Sequence, residues 1–164
     1  MNCLAELDGS RLARLTTAKL DAVMVIEHAA YDVPWTRGNF VDSLASGYLA
    51  SCLLDPRGAL LGYFIAMPGH GELHLLNLTV APEVQGRGHG RALLDALVVA
   101  GQQAGLAELW LEVRASNVRA RDIYQRYGLV TTGVRKAYYP TKSKAANAAR
   151  EDAVVMNLRL DEVP

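Results

Sequence analysis

Two features of the chain combine residue types and spacing that could do chemistry. The first is Val80-Ala-Pro-Glu-Val-Gln-Gly-Arg-Gly-His-Gly-Arg-Ala-Leu-Leu94. An apolar strand pattern stops at Val80, Pro82 turns the chain, and Gly86, Gly88 and Gly90 alternate before a helix pattern starts at Ala92. A glycine-rich loop feeding a helix presents unpaired backbone N–H groups and the positive end of the helix dipole, which suits a phosphate or pyrophosphate. The second feature is Glu112, set inside Leu109-Trp-Leu-Glu-Val113. A carboxyl group among apolar residues has a raised pKa, which suits proton uptake. Strand alternation turns Glu112 away from Leu111 and Val113, into a cleft or toward solvent, and spacing alone leaves both open.

Regular elements must position these groups. Leu20, Val23, Ile26 and Ala30 recur at helical spacing over residues 17–31, and Thr36 can cap a second helix carrying Phe40 and Leu44. Residues 48–54 and 60–67 read as strands joined by a turn at Asp55-Pro-Arg-Gly58, and a turn at Pro68-Gly-His-Gly71 leads to a strand over 72–80. A helix over 89–103 ends before Gly105, a strand follows over 108–113, and Asn117 caps a short helix that Gly128 closes. Strands over 129–138 and 152–158 finish the chain. This order predicts an α/β (α+β) fold with a mixed central sheet of about six to seven strands and helices on its faces.

Composition narrows the class. The 164 residues suffice for one domain over 1–164, and 51% of them are hydrophobic. Seventeen Lys and Arg balance 17 Asp and Glu, which argues against non-specific nucleic-acid binding. The basic run Arg114, Arg119, Arg121, Arg126, Arg135 and Lys136 reads mostly as solvated helix and strand faces, as does Glu27. Cys3 and Cys52 have no metal or disulfide spacing and read as free thiols in a reducing cytoplasm. Residues 1–15 lack an apolar core of signal-peptide length, and no run approaches a membrane span. His70, His74 and His89 form no metal pattern; His89 reads as an exposed loop residue, and none is given a catalytic role.

The glycine loop also excludes ligands. Gly90-Arg91-Ala92 lacks the Gly-Lys-Ser/Thr ending of a nucleotide P-loop. Arg91 stands where a dinucleotide fold needs its third glycine. Gln85-Gly-Arg-Gly88-His-Gly90 instead resembles the acyl-CoA loop of the GCN5-related N-acetyltransferases (GNAT). Leu109-Trp-Leu-Glu-Val-Arg-Ala-Ser-Asn117, Tyr124, Tyr138-Tyr-Pro140 and Arg150-Glu-Asp-Ala153 extend the likeness, with Pro34-Trp35 and Leu76-Asn-Leu-Thr-Val80 before them. This set is similar to the bacterial members that acetylate the N-terminal alanine of a small-subunit ribosomal protein.

The resemblance implies the GNAT fold and direct acetyl transfer from acetyl-CoA to an amine, without a metal. It makes Glu112 the proton acceptor, directly or through a water, and Tyr124 the acid that protonates the departing thiolate. Leu78, Thr79 and Val80 would pair with the pantetheine arm. Gln85, Gly86, Arg87, Gly88, His89, Gly90 and Arg91 would wrap the pyrophosphate, and Asn117 would both cap its helix and contact the coenzyme. Trp35, Tyr138 and Tyr139 fall near the acceptor groove, as a peptide clamp or as packing. The implied partner is a protein N-terminal peptide, with neither nucleic acid nor membrane, and the implied state a cytoplasmic monomer or weak dimer. Other readings are acetylation of another N-terminus, a lysine or a small amine, and a non-catalytic coenzyme-A-binding module. Residues 141–149 are longer than the usual turn in that subgroup, Leu129 replaces a common Phe, and Thr79 a frequent Ala.

Overall fold

A computed structural model describes residues 9–142 and 149–164. Cys3 and most of the 141–149 insertion lie outside the described residues. Among the described residues seven strands form one sheet: β1 (Arg11–Arg14), β2 (Leu49–Leu54), β3 (Leu60–Gly69), β4 (Glu72–Val80), β5 (Glu108–Arg114), β6 (Val130–Tyr139) and β7 (Glu151–Arg159). Their spatial order is β1-β2-β3-β4-β5-β7-β6. Neighbours run antiparallel except β4 and β5, which are parallel. The mixed sheet expected from the sequence is present. The strand β1 was not foreseen, because four residues with arginine at both ends carry almost no alternating pattern.

Helices cover both faces. α1 (Leu20–Ala30) and α2 (Arg37–Ala45) pack Leu20, Val23, Ile26 and Phe40 against Tyr63 and Ile65. α3 (His89–Gln103) and α4 (Val118–Tyr127) pack Leu93, Leu94, Leu97 and Tyr124 against Leu73, Leu75, Leu109 and Leu111. Local chemistry sets the helix starts. Thr36 and Asn39 form a reciprocal capping box, and the Asn117 side chain accepts from the Ala120 N–H at 3.2 Å. Gly88 precedes α3 with φ of 88°, a left-handed conformation that suits glycine.

Two irregularities shape the centre of the sheet. β4 and β5 pair only between Glu72–Leu75 and Glu108–Leu111, then separate, although β4 continues to Val80 and β5 to Arg114. β4 also has one extra residue against β3, because Asn77 pairs with Ile65 and Leu75 with Ala66. That bulge at Leu76 reverses which residues face α1.

Candidate active site

The split between β4 and β5 opens beside the glycine loop. Beyond Leu75, the backbone groups of β4 that point away from β3 have no strand partner among the described residues, so Leu78, Thr79 and Val80 offer an edge to an extended ligand. The loop then folds back through a hydrogen bond from Gln85 Nε2 to the Val80 carbonyl at 3.1 Å. Gly86 and Gly88 both have positive φ, 79° and 88°, and α3 begins with no side-chain cap on its first N–H groups. The Arg119 guanidinium, from the start of α4, lies 3.4 Å from where a Gly86 Cβ would be. Among the described residues this loop has N–H groups without side-chain caps, a helix N-terminus and an adjacent arginine, an arrangement that suits a phosphate or pyrophosphate. Arg87 and Arg91 are exposed at this loop.

His89 departs from expectation. It is buried, 6% exposed, and its Nδ1 has no hydrogen-bond partner among the described residues. The cause is helix phase: α3 starts at His89, and residues 89, 93 and 97 share its inward face. Only the backbone of His89 can serve the loop.

Glu112 lies on the face of β5 opposite Leu111 and Val113, as its alternation predicts, but it is neither solvated nor alone. Its Oε2 is 2.5 Å from His74 Nε2 and its Oε1 is 3.3 Å from Arg135 Nε. Burial pushes the Glu112 carboxyl up, yet the hydrogen bond and charge of His74 and the charge of Arg135 outweigh it. The group is therefore held below its ordinary value of 4.5. The raised pKa expected from its apolar neighbours is corrected: the strand's own sequence does not contain His74 and Arg135, which other strands bring. His74 was likewise passed over, and its signal was parity. It sits diagonal to Glu112, since His74 is in register with Trp110 on the same face.

Tyr124 is buried in the α3–α4 core, and burial first, then Tyr31 and Tyr139, pushes its phenol well above the ordinary 10.0. It is therefore protonated at neutral pH. Tyr31, which the sequence did not single out, donates toward the Leu78 carbonyl at 3.3 Å and meets Thr79 Oγ1 at 2.7 Å. Thr79 Oγ1 donates to Asn77 Oδ1, and Asn77 Nδ2 donates to Glu27 Oε1. Glu27 also accepts from the Tyr63 hydroxyl at 2.9 Å and from the Trp35 N–H at 3.4 Å. Only 1% exposed, it is no solvated helix residue, and burial raises its pKa despite these hydrogen bonds. The network ties α1 and the Trp35 turn to the β4 edge.

The aromatics expected near the acceptor groove are placed differently from one another. Trp35 packs on Phe40, with ring centroids 5.1 Å apart, and borders an open groove of about 370 Å³ with Asp42 and Tyr48. Tyr138 and Tyr139 meet edge to face at 4.9 Å. Arg114 lies over Tyr139 and Arg135 over Tyr138, so the pair stands beside the Glu112 cluster. Tyr127, by contrast, hydrogen-bonds Asp95 at 2.8 Å and is a packing residue. Among the described residues, no group of three or more His, Cys, Asp or Glu could hold a metal ion, and no helix is long and apolar enough to cross a membrane.

The described residues thus form a mixed sheet split at its parallel pair, with a glycine-rich loop at the split and a carboxylate at its mouth. The chain belongs to the acetyltransferase (GNAT) family, whose pattern matches residues 20–129. Members of this family use acetyl-CoA. The chain is 36% identical to the [Ribosomal protein bS18]-alanine N-acetyltransferase of Escherichia coli strain K12 over 147 residues, covering 90% of this chain and 95% of that one. The protein of the same name from Haemophilus influenzae is 33% identical over 147 residues, covering 90% and 97%. The crystal structure of the ribosomal-protein-S18-alanine N-acetyltransferase from Escherichia coli superposes with a TM-score of 0.82 at 34% identity, covering 94% of this chain and 96% of that one.

Proposed function

We propose that this chain, acting over residues 1–164 as one catalytic unit, transfers the acetyl group of acetyl-CoA to the N-terminal amine of a protein. The favoured acceptor is the N-terminal alanine of a bS18-type ribosomal protein, which places the reaction in the cytoplasm. The observation that carries this reading is Glu112 at the mouth of the β4–β5 split in a chain 36% identical to enzymes of that name.

Bound acetyl-CoA supplies a thioester carbonyl that a neutral amine can attack. Residues 86–91 would hold its pyrophosphate through backbone N–H groups, with Arg119 adding charge and Asn117 lying at the adjacent helix start. The free edge of Leu78–Val80 would align the pantetheine arm, leaving the thioester between Glu112 and Tyr124. Glu112 would take the amine proton, and Tyr124, protonated at neutral pH, would give one to the departing sulfur. Trp35, Tyr138 and Tyr139 would flank the incoming peptide.

The test is incubation with acetyl-CoA and a peptide beginning with alanine, read by mass spectrometry and coenzyme A release. One acetyl group on the α-amine is expected, and none on a lysine-containing peptide with a blocked N-terminus. Glu112→Gln and Tyr124→Phe should each slow turnover on the order of 10²-fold or more, with acetyl-CoA affinity kept. Absence of transfer to any alanine N-terminus refutes the acceptor, and unchanged turnover in either variant removes that residue's role.

A further inference from the structure

We propose that Tyr31 binds the acyl donor: its phenol oxygen and the neighbouring Leu78 carbonyl together accept the amide N–H of acyl-CoA that lies closest to the thioester. The proposal rests on the reading of Leu78–Val80 as the pantetheine edge and adds a side chain to it. Tyr31 would set the register of the coenzyme along β4, and with it where the thioester stops.

Geometry carries this inference. The Ala81 N–H donates to the Leu61 carbonyl at 2.8 Å, and Thr79 and Asn77 stand opposite Tyr63 and Ile65 in the same register. Hydrogen-bonded residues alternate in an antiparallel pair, so Asn77, Thr79 and Ala81 turn their backbone groups to β3. Leu78 and Val80 turn theirs to the open side of the split. Gln85 Nε2 caps the Val80 carbonyl at 3.1 Å. The side chain at the Leu78 carbonyl is Tyr31, whose hydroxyl lies 3.3 Å away. Phosphates held by residues 86–91 would lie past Val80, so the pantetheine arm would run from Val80 toward Leu78 and bring its thioester-side amide to that carbonyl. Tyr31 also lies within charge range of Tyr124 and Tyr139 and raises both phenols, which puts it at the thioester end of the split.

The hydrogens of the buried network fix what the Tyr31 oxygen can do. Glu27 Oε1 accepts from the Tyr63 hydroxyl and from Asn77 Nδ2, and its Oε2 accepts from the Trp35 N–H. That orients the Asn77 amide and leaves its Oδ1 to accept from Thr79 Oγ1 at 2.7 Å. The one hydrogen of Thr79 is thereby committed, so in its 2.7 Å contact with Tyr31 the threonine accepts and the tyrosine donates. Burial pushes the Tyr31 phenol up to about 12, so that hydrogen is present at neutral pH. Drawn to the shorter contact, it reaches the Leu78 carbonyl only weakly. Two oxygens with lone pairs to offer therefore stand 3.3 Å apart on the open side of β4, a pair that suits an N–H donor. The coenzyme's amide carries such a donor two methylene groups from the sulfur. A slip of the arm along the edge would take the thioester out of reach of Glu112 and Tyr124.

The test measures, by calorimetry, the affinity of wild type and Tyr31→Phe for acetyl-CoA and for an analogue in which a methylene replaces that one amide N–H. Wild type should prefer acetyl-CoA roughly tenfold, since the analogue leaves the two oxygens without a donor. Tyr31→Phe removes one of those oxygens and keeps the ring. It should bind acetyl-CoA roughly threefold more weakly than wild type does and the analogue equally well, so that the preference narrows by the same factor. A tyrosine that merely packs would weaken both ligands alike. Loss of both ligands alike in Tyr31→Phe, or an unchanged preference, overturns the role of Tyr31 while the acetyl-CoA reading stands. Equal affinity of wild type for the two ligands overturns it without any variant. Wild type that binds neither ligand overturns the acetyl-CoA reading and this proposal with it.

Discussion

Glu27 offers the sharpest test of how the fold holds its site. It is 1% exposed and accepts hydrogen bonds from the Tyr63 hydroxyl at 2.9 Å and from Asn77 Nδ2 at 2.8 Å. Tyr63 is 0% exposed and Asn77 8%, so neither donor can turn to bulk water when Glu27 is cut to alanine. A buried donor left without a partner costs ~1–3 kcal/mol. Two of them give roughly 3–5 kcal/mol, a large share of the ~5–15 kcal/mol of a typical domain. At ~2–4 °C per kcal/mol for a chain of this size, Glu27→Ala should melt roughly 6–20 °C below wild type. Urea unfolding followed by circular dichroism measures the same loss. Glu27→Gln is the milder variant, since its amide oxygen can still accept from Tyr63 or Asn77. It also isolates the charge. Because burial raises the folded pKa of Glu27 above 4.5, the folded state binds that proton more tightly than the unfolded chain does. Its contribution is therefore full below about 4.5 and is lost as pH rises through the raised value. The stability of wild type relative to Glu27→Gln should fall with rising pH over that window. A Glu27→Ala protein within about 1 kcal/mol of wild type, or a pH trend of opposite sign, would refute the reasoning.

Two further variants probe the loop. Gly88 has φ of 88° immediately before α3, so Gly88→Ala should cost ~1–2 kcal/mol of strain and weaken acetyl-CoA binding several-fold by calorimetry; equal affinity would mean that the N-terminus of α3 does not hold the phosphates. Arg119→Ala removes the guanidinium beside Gly86, and should lower acetyl-CoA affinity roughly tenfold at low salt and less at high salt. An affinity that is unchanged at every ionic strength places Arg119 outside the cofactor site.

Much of this arrangement was legible in the chain because its punctuation is strong. Pro82, Gly88 and Gly105 bound β4 and α3 so firmly that Glu72–Val80 and His89–Gln103 appear with the limits read from sequence. Asn117 and Gly128 do the same for α4. What could not be read depends on neighbours distant in sequence. Glu27 resembles a solvated helix residue until Tyr63 and Asn77, 36 and 50 positions away, are brought to it. Glu112 resembles an isolated carboxyl until β4 supplies His74 and β6 supplies Arg135. The length of α3 was evident, but its phase was not, and phase decides that His89 is buried.

The bulge at Leu76 shows why alternation alone misassigns this strand. In a regular β4, His74, Leu76 and Leu78 would share one face, and Asn77 and Thr79 the other. The extra residue places Leu75 and Leu78 in the α3 core, while Leu76 packs in the α1 core and Asn77 and Thr79 join Glu27 on that side. His74 precedes the bulge and Thr79 follows it, so residues of unlike parity reach the same face. One then meets Glu112 and the other meets Tyr31. The adjacent leucines Leu75-Leu76, which break the alternation of an otherwise regular strand, are its trace in the sequence. Without the bulge, the strand could present a partner to Glu112 or anchor its own free edge through Thr79 and Tyr31, but not both on one side of the sheet. The partner of Glu112 and the support for the free β4 edge therefore depend on the same backbone irregularity.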